Sequence, residues 1–147
     1  MDSISDQACI VGIGHTEYSK DSGRSELKLA CESIGAAIED AGLTPDDHDG
    51  ITKSTMDNND VVDISRSLGI PHLRFFSEVA YGGGGGPLGT ILLAAMAVAT
   101  GQANAVVAFR AMNERSGRGT SRFGQASTDP GATGTASYVA PYGLFSP

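Results

Sequence analysis

The sequence predicts an α/β fold in which helices are layered on both faces of a mixed or mostly parallel sheet. Three observations predict it. Short apolar runs alternate with helix-length stretches through the first 112 residues; five consecutive glycines, Gly82 to Gly86, join one such run to the next; and the stretch after the glycines carries no charge on any face. Strands that alternate with helices imply a mixed or mostly parallel sheet with helices on both faces. After Met112 the periodicity stops. Residues 1–112 are therefore read as the domain core, and 113–147, rich in Gly, Ser and Thr, as a long loop or lid expected to lead into a further half of the fold.

Ala8 to Gly14 is short, apolar and β-branched, the pattern of a strand covered on both faces. His15 to Arg24 is a polar loop. From Ser25, residues Leu27, Cys31, Ile34, Ile38 and Ala41 recur at helical spacing, with Ser25 as N-cap and Gly42 as the stop. The turn residues Thr44-Pro45-Asp46 lead into Gly50 to Ser54, a short strand. Met56 to Asp60 is loop. Val61, Ile64 and Leu68 form the stripe of a short helix that Gly69 ends, and Ile70-Pro71 turns the chain into a buried strand from Leu73 to Val79. Pro87 to Thr100 is a helix with proline in its first turn, where the missing N–H costs nothing; apolar all round, it is expected to be buried. Gly101 closes it, and Asn104 to Phe109 returns as a strand.

Composition narrows the function classes. A length of 147 residues with 40% apolar content fits one domain with a core, and a net charge of −7 without a Lys/Arg cluster argues against nucleic acid. Cys9 and Cys31 read as buried free thiols, with no metal-ligand spacing around them, which fits a reducing cytoplasm. The N-terminus lacks the basic and apolar regions of a signal peptide, and the longest apolar run, near Ile91 to Ala99, is too short to span a bilayer. No membrane association is expected.

The glycine run is the strongest functional signal. Glycine loses more conformational entropy on folding than any other residue, so five in a row imply that something approaches the backbone closely. Their place between a strand and a helix points free N–H groups, and the positive end of a helix dipole, at the mouth of the loop. The expected ligand is an anion or a developing oxyanion. Tight backbone packing at an interface or helix start is the structural alternative.

With these elements in order, the chain resembles the N-terminal half of the thiolase superfamily, and within it the thiolase-like lipid-transfer proteins related to the sterol carrier protein thiolases. The matching stretches are Ile10 to Tyr18, Ala36 to Leu43, Asp49-Gly50-Ile51 and Leu92 to Asn113, so the resemblance covers nearly the whole chain. A true thiolase carries its nucleophilic cysteine at the start of the buried helix. Matching Val79 and Gly86 to the flanking positions puts Gly83 at the cysteine's place, and glycine cannot be acylated. The resemblance thus disfavours ordinary thiolase chemistry. It implies the retro-aldol cleavage of a β-hydroxyacyl-CoA, a steroid side-chain ester, performed by the branch of this family that acts as steroid side-chain aldolases.

The resemblance further implies CoA as part of the substrate and no other cofactor, a homodimer joined through the strand Leu73–Val79, and a small OB-fold, acyl-CoA-associated partner protein. In the family most acid–base groups lie in the C-terminal half, so no catalytic residue carries over. The substrate-binding candidates are Gly82, Gly83, Gly84, Gly85 and Gly86, with Arg115 and Arg118, and also Arg122, placed to meet CoA phosphates. Tyr81 is a candidate acid or ligand contact, against the commoner reading of a core tyrosine. His15, His48 and His72 are readable as bases but more simply as surface or structural residues, and Asp46-Asp47-His48-Asp49 as a solvated turn rather than a metal site. A nucleotide-binding domain is the alternative of another class. It is weak, because Gly12-x-Gly14 lacks the third glycine and no Gly-Lys-Ser/Thr occurs. A non-catalytic lipid-binding or scaffolding subunit that kept the fold is the other alternative.

Overall fold

The computed structural model describes residues 4–80 and 85–112. Three parallel strands, β1 (Gly50–Ser54), β2 (Phe75–Val79) and β3 (Val106–Phe109), lie in the order β2-β1-β3. Gly50 pairs with Phe75 on one side and with Val106 on the other. Helices α1 (Glu26–Asp40) and α2 (Val61–Leu68) cover one face and α3 (Gly86–Ala99) the other, which gives the expected α/β layering. Every pairing among the described strands is parallel, so the antiparallel member that would make the sheet mixed is not among them.

The side-chain alternation of β1 explains the layers. Ile51 faces α1 and α2, where it joins Leu29, Ile34, Ile38, Ile64 and Phe109 in the main apolar core. Thr52 points the other way, and its hydroxyl donates to Thr90 O of α3 at 3.2 Å. All five residues of β1 are buried, as a central strand requires.

Helix ends follow their local chemistry. Ser25 caps α1 by accepting from Lys28 N, and Gly42, at φ +67°, closes it in the left-handed conformation that glycine tolerates best. Asp60 caps α2 through Val62 N, and Gly69 at φ +75° ends it. A short 3-10 turn over Pro45–Asp47 precedes β1.

Asp49 then ties the three strands together at their starting ends. Its carboxylate accepts from Asn104 N at 2.7 Å, Ala105 N at 3.2 Å and Asn104 Nδ2 at 3.0 Å, and pairs with Arg74 at 3.2 Å. Burial of this carboxylate pushes its pKa up. The backbone hydrogen bonds from Asn104 and Ala105, with the Arg74 guanidinium, outweigh that and hold it below the ordinary carboxylate value.

Four expectations are corrected. Ala8–Gly14 is not a strand: it runs without strand pairing across α1, leaving Ile10, Val11, Ile13 and Cys9 exposed. What holds it is a helix surface rather than a sheet. A side chain at Gly12 or Gly14 would put its Cβ about 2.1 Å from Ala37 O or 2.2 Å from Ser33 O, and Ile13 N donates to Asp40 at 2.9 Å. Second, β2 is an edge strand among those described, and Phe76 and Leu73 are exposed rather than buried. Third, α3 is covered on the sheet side alone among the described residues; Leu88, Ile91, Leu92 and Met96 are exposed although the helix is apolar all round. Fourth, the Asp46–Asp49 turn is solvated only in its first half, since His48 and Asp49 are buried.

Candidate functional site

β2 stops at Val79 and α3 starts at Gly86, so the glycine run falls in sequence between a strand and a helix, as predicted. This is the outgoing end of the parallel strands, where open α/β sheets hold their ligands. Gly85 is the N-cap of α3 with an ordinary helical backbone, φ −81° and ψ −19°, and has no side chain to fold over the helix start. Among the described residues, a Cβ at Gly85 would meet no atom within 4 Å, and one at Gly86 would meet only Ala80 O at 3.7 Å. Neither glycine is required by packing within the described residues, so close packing does not explain this end of the run. Pro87 has no N–H, and Leu88 N is spent on Gly85 O at 3.1 Å, which leaves the amides of Gly85 and Gly86 as the donors at this helix start among the described residues.

Behind the turn the packing is tight. Gly89, one turn into α3, lets the helix settle on β2: a Cβ there would stand 3.2 Å from Val79 Cγ1. Thr90 bonds back to Pro87 O at 2.5 Å and accepts Thr52 from the sheet through its own carbonyl, so the first turn of α3 is fastened to β1 and β2. Tyr81, Gly82, Gly83, Gly84, Arg115, Arg118 and Arg122 lie outside the described residues.

The histidines are not gathered here. His48 lies at the opposite end of β1, where its Nδ1–H donates to Thr44 O at 3.0 Å. His15 stacks on Tyr18 in the exposed N-terminal loop, and His72 is exposed before β2. The aspartates of the 46–49 turn diverge: Asp47 accepts from Thr44 N and Oγ1 at 2.8 and 2.7 Å, whereas Asp49 turns inward to the strands. Among the described residues no group of His, Cys, Asp and Glu is placed to hold a metal ion, and no helix is long and apolar enough to cross a membrane.

A polar cluster, whose members the sequence leaves as strand (Lys53, Glu78) or loop (Asp57, Asn59) with no role, stands at the outgoing end of the sheet. It consists of Lys53, Asp57, Asn59 and the half-exposed Glu78. Lysine on a central strand is the one sequence signal that could have found it. A separate cleft of about 1430 Å³ lies between the N-terminal segment, α1, α3 and the outer edge of β3, lined in part by Ile13, Ala37, Val98 and Val107. Its lining is mostly apolar but includes Glu17, Lys20 and Arg110, and it does not include Gly85 or Gly86.

No family model matches the chain. It is 52% identical to 17-hydroxy-3-oxo-4-pregnene-20-carboxyl-CoA lyase of Mycobacterium tuberculosis, over 98% of this chain and 38% of that protein. It is 50% identical to a steroid side-chain-cleaving aldolase of Thermomonospora curvata, over 100% of this chain and 38% of that protein. Among solved structures, an Ltp2-ChsH2(DUF35) aldolase superposes with a TM-score of 0.75 at 48% identity, covering 92% of this chain and 33% of that chain. The chain spans about two fifths of the length of the curated relatives it matches. In sequence and in backbone, then, it resembles a segment of the aldolases that cleave steroid side chains as CoA esters.

Proposed function

We infer that the whole protein is a carbon–carbon lyase of thiolase-like fold, which cleaves a β-hydroxyacyl-CoA carried on a steroid side chain by a retro-aldol reaction. The observation that carries this reading is the 52% and 50% identity, over essentially all of this chain, to proteins named for that activity. The chemistry needs no covalent catalyst. A base removes the β-hydroxyl proton, the oxygen lone pair becomes a carbonyl, and the Cα–Cβ bond breaks. Its electron pair moves onto the thioester as an enolate, which an acid then protonates at carbon. The step that benefits most from a fixed site is the enolate oxygen, because donors aimed where charge develops contribute about 3–4 kcal/mol each.

The start of α3 at Gly85 and Gly86, open among the described residues, supports the glycine amides in that role, with the helix dipole oriented to favour an anion. Glycine at position 83 fits a mechanism without an acyl-enzyme. Arg115 and Arg118 are proposed to meet the CoA phosphates, CoA entering only as part of the substrate. Two partners belong to the same reading. The aldolase that superposes on this chain is named for an assembly with ChsH2(DUF35), which supports a second protein of the expected OB-fold kind. The β2 edge, unpaired among the described residues and with Phe76 and Leu73 exposed, supports a homodimer built by joining sheets, since an apolar edge strand left open invites pairing. The free thiols of Cys9 and Cys31 are consistent with a cytoplasmic location.

The test is to incubate the full-length protein, assembled with its partner, with a 17-hydroxy steroid carrying a C20 carboxyl-CoA ester. Release of a steroid ketone and a shortened acyl-CoA supports the reading. Tight binding without turnover would replace it with a non-catalytic acyl-CoA-binding subunit.

A further inference from the structure

Lys53 projects from β1 on the α1/α2 side and is only 6% exposed. Its ammonium donates to Asp57 O at 3.1 Å and Asn59 O at 2.7 Å, and pairs with Glu78 Oε1 of β2 at 3.0 Å. These contacts occupy its three donors. Asp57, 3% exposed, accepts on Oδ1 from Asn59 N at 2.9 Å and Asn59 Nδ2 at 2.8 Å, and on Oδ2 from Ala111 N at 2.7 Å, just past the end of β3. One buried charged cluster therefore joins the outgoing ends of all three strands.

Stability alone does not account for it, because an apolar side chain of similar volume commonly serves a core as well as a buried ion pair or better. What the cluster supplies is direction. Glu78 precedes Val79, whose side chain is the seat of Gly89 on α3 and whose carbonyl accepts from Thr55 N at 3.0 Å. The path from Lys53 through Glu78 and Val79 to the first turn of α3 is continuous and short.

We propose that Lys53 and Asp57 are positioning residues, which set the N-terminal turn of α3, with Gly85 and Gly86, against the exits of β1 and β3. The proposal rests on the reading that this turn faces the reacting thioester. Oxyanion donors act mainly in the transition state, so their displacement lowers kcat rather than raising KM, and a shift of about 1 Å can cost up to ~100-fold.

The experiment uses the full-length protein with its OB-fold partner and measures retro-aldol kcat and KM, the fraction of active sites, and Tm, for Lys53→Met, Asp57→Asn and Glu78→Gln. The expected result is a fall in kcat per active site of about tenfold for Lys53→Met, with KM within about twofold. Glu78→Gln, at a half-exposed site that keeps an acceptor, is expected to lose less, in the same direction, and it carries the test if the buried variants do not fold. Unchanged kcat per active site overturns the proposal, whether Tm is retained or falls together with the active fraction. If the parent assembly itself shows no turnover, the aldolase reading fails and the positioning role falls with it; if the parent turns over and the variants match it, only the positioning role fails.

Discussion

At the scale of single residues, two kinds of contact do most to define this chain: carboxylates that gather backbone amides, and glycines that admit a neighbouring backbone. Asp49 is the first kind. Asp49→Ala leaves the amides of Asn104 and Ala105 and the Arg74 guanidinium without their acceptor, and is expected to cost about 2–4 kcal/mol of stability. The sign of the pH effect follows from its depressed pKa. A carboxyl that is more acidic folded than unfolded contributes its full stabilisation above the unfolded value, near 3.9, and loses it as pH falls through the folded value. Thermal melts of this chain should therefore fall off more steeply on acidification below about pH 4 than those of Asp49→Asn. Gly12 and Gly14 are the second kind. Gly14→Ala places a Cβ inside the contact distance of Ser33 O and Ala37 N, both backbone atoms of α1 that cannot swing away. Hydrogen exchange should then show faster exchange of Ile13 N, the amide held by Asp40, while the amides of β1 stay protected.

At the scale of elements, what the sequence made legible is what local chemistry controls. The two helices α1 and α2 were readable because Ser25, Gly42 and Gly69 mark their ends and their apolar residues recur on one face. The strand at Gly50–Ser54 and the helix after the glycines fell where expected, the latter shifted by one residue. Ala8–Gly14 misled because an apolar β-branched run looks the same whether it pairs in a sheet or lies extended on a helix; only distant residues, here Ser33, Ala37 and Asp40, decide between the two. The exposed side of α3 has a similar origin. Absence of charge announces that a helix will be covered but not by what, and the sheet covers one side. Gly89→Val tests the seat of this helix: its side chain would press on Val79 from 3.2 Å, push α3 off β2 and lower the melting temperature, whereas Gly85→Ala, in ordinary backbone and with no described atom within reach of its Cβ, should leave it nearly unchanged.

At the scale of the whole molecule, the sheet has two polar fastenings: Asp49 where the strands begin, and Lys53 with Asp57 where they end. Between them sits the apolar core, and at the outgoing end the start of α3 at Gly85 and Gly86. The candidate site was legible in the sequence to the extent that it is a local motif, five glycines before an uncharged helix. Lys53, Asp57 and Asn59 were not, since their roles depend on which strand lies beside which. The reaction proposed for this arrangement makes no bond to the protein, and that is its most exposed claim. The direct measurement is intact mass of the full-length assembly during turnover of a steroid β-hydroxyacyl-CoA, with products followed in the same sample. The reading predicts steroid ketone and shortened acyl-CoA with the protein mass unchanged at every time point. An acyl adduct that forms and decays at the rate of product release would contradict it, because the chemistry would then run through a nucleophile that position 83 does not have.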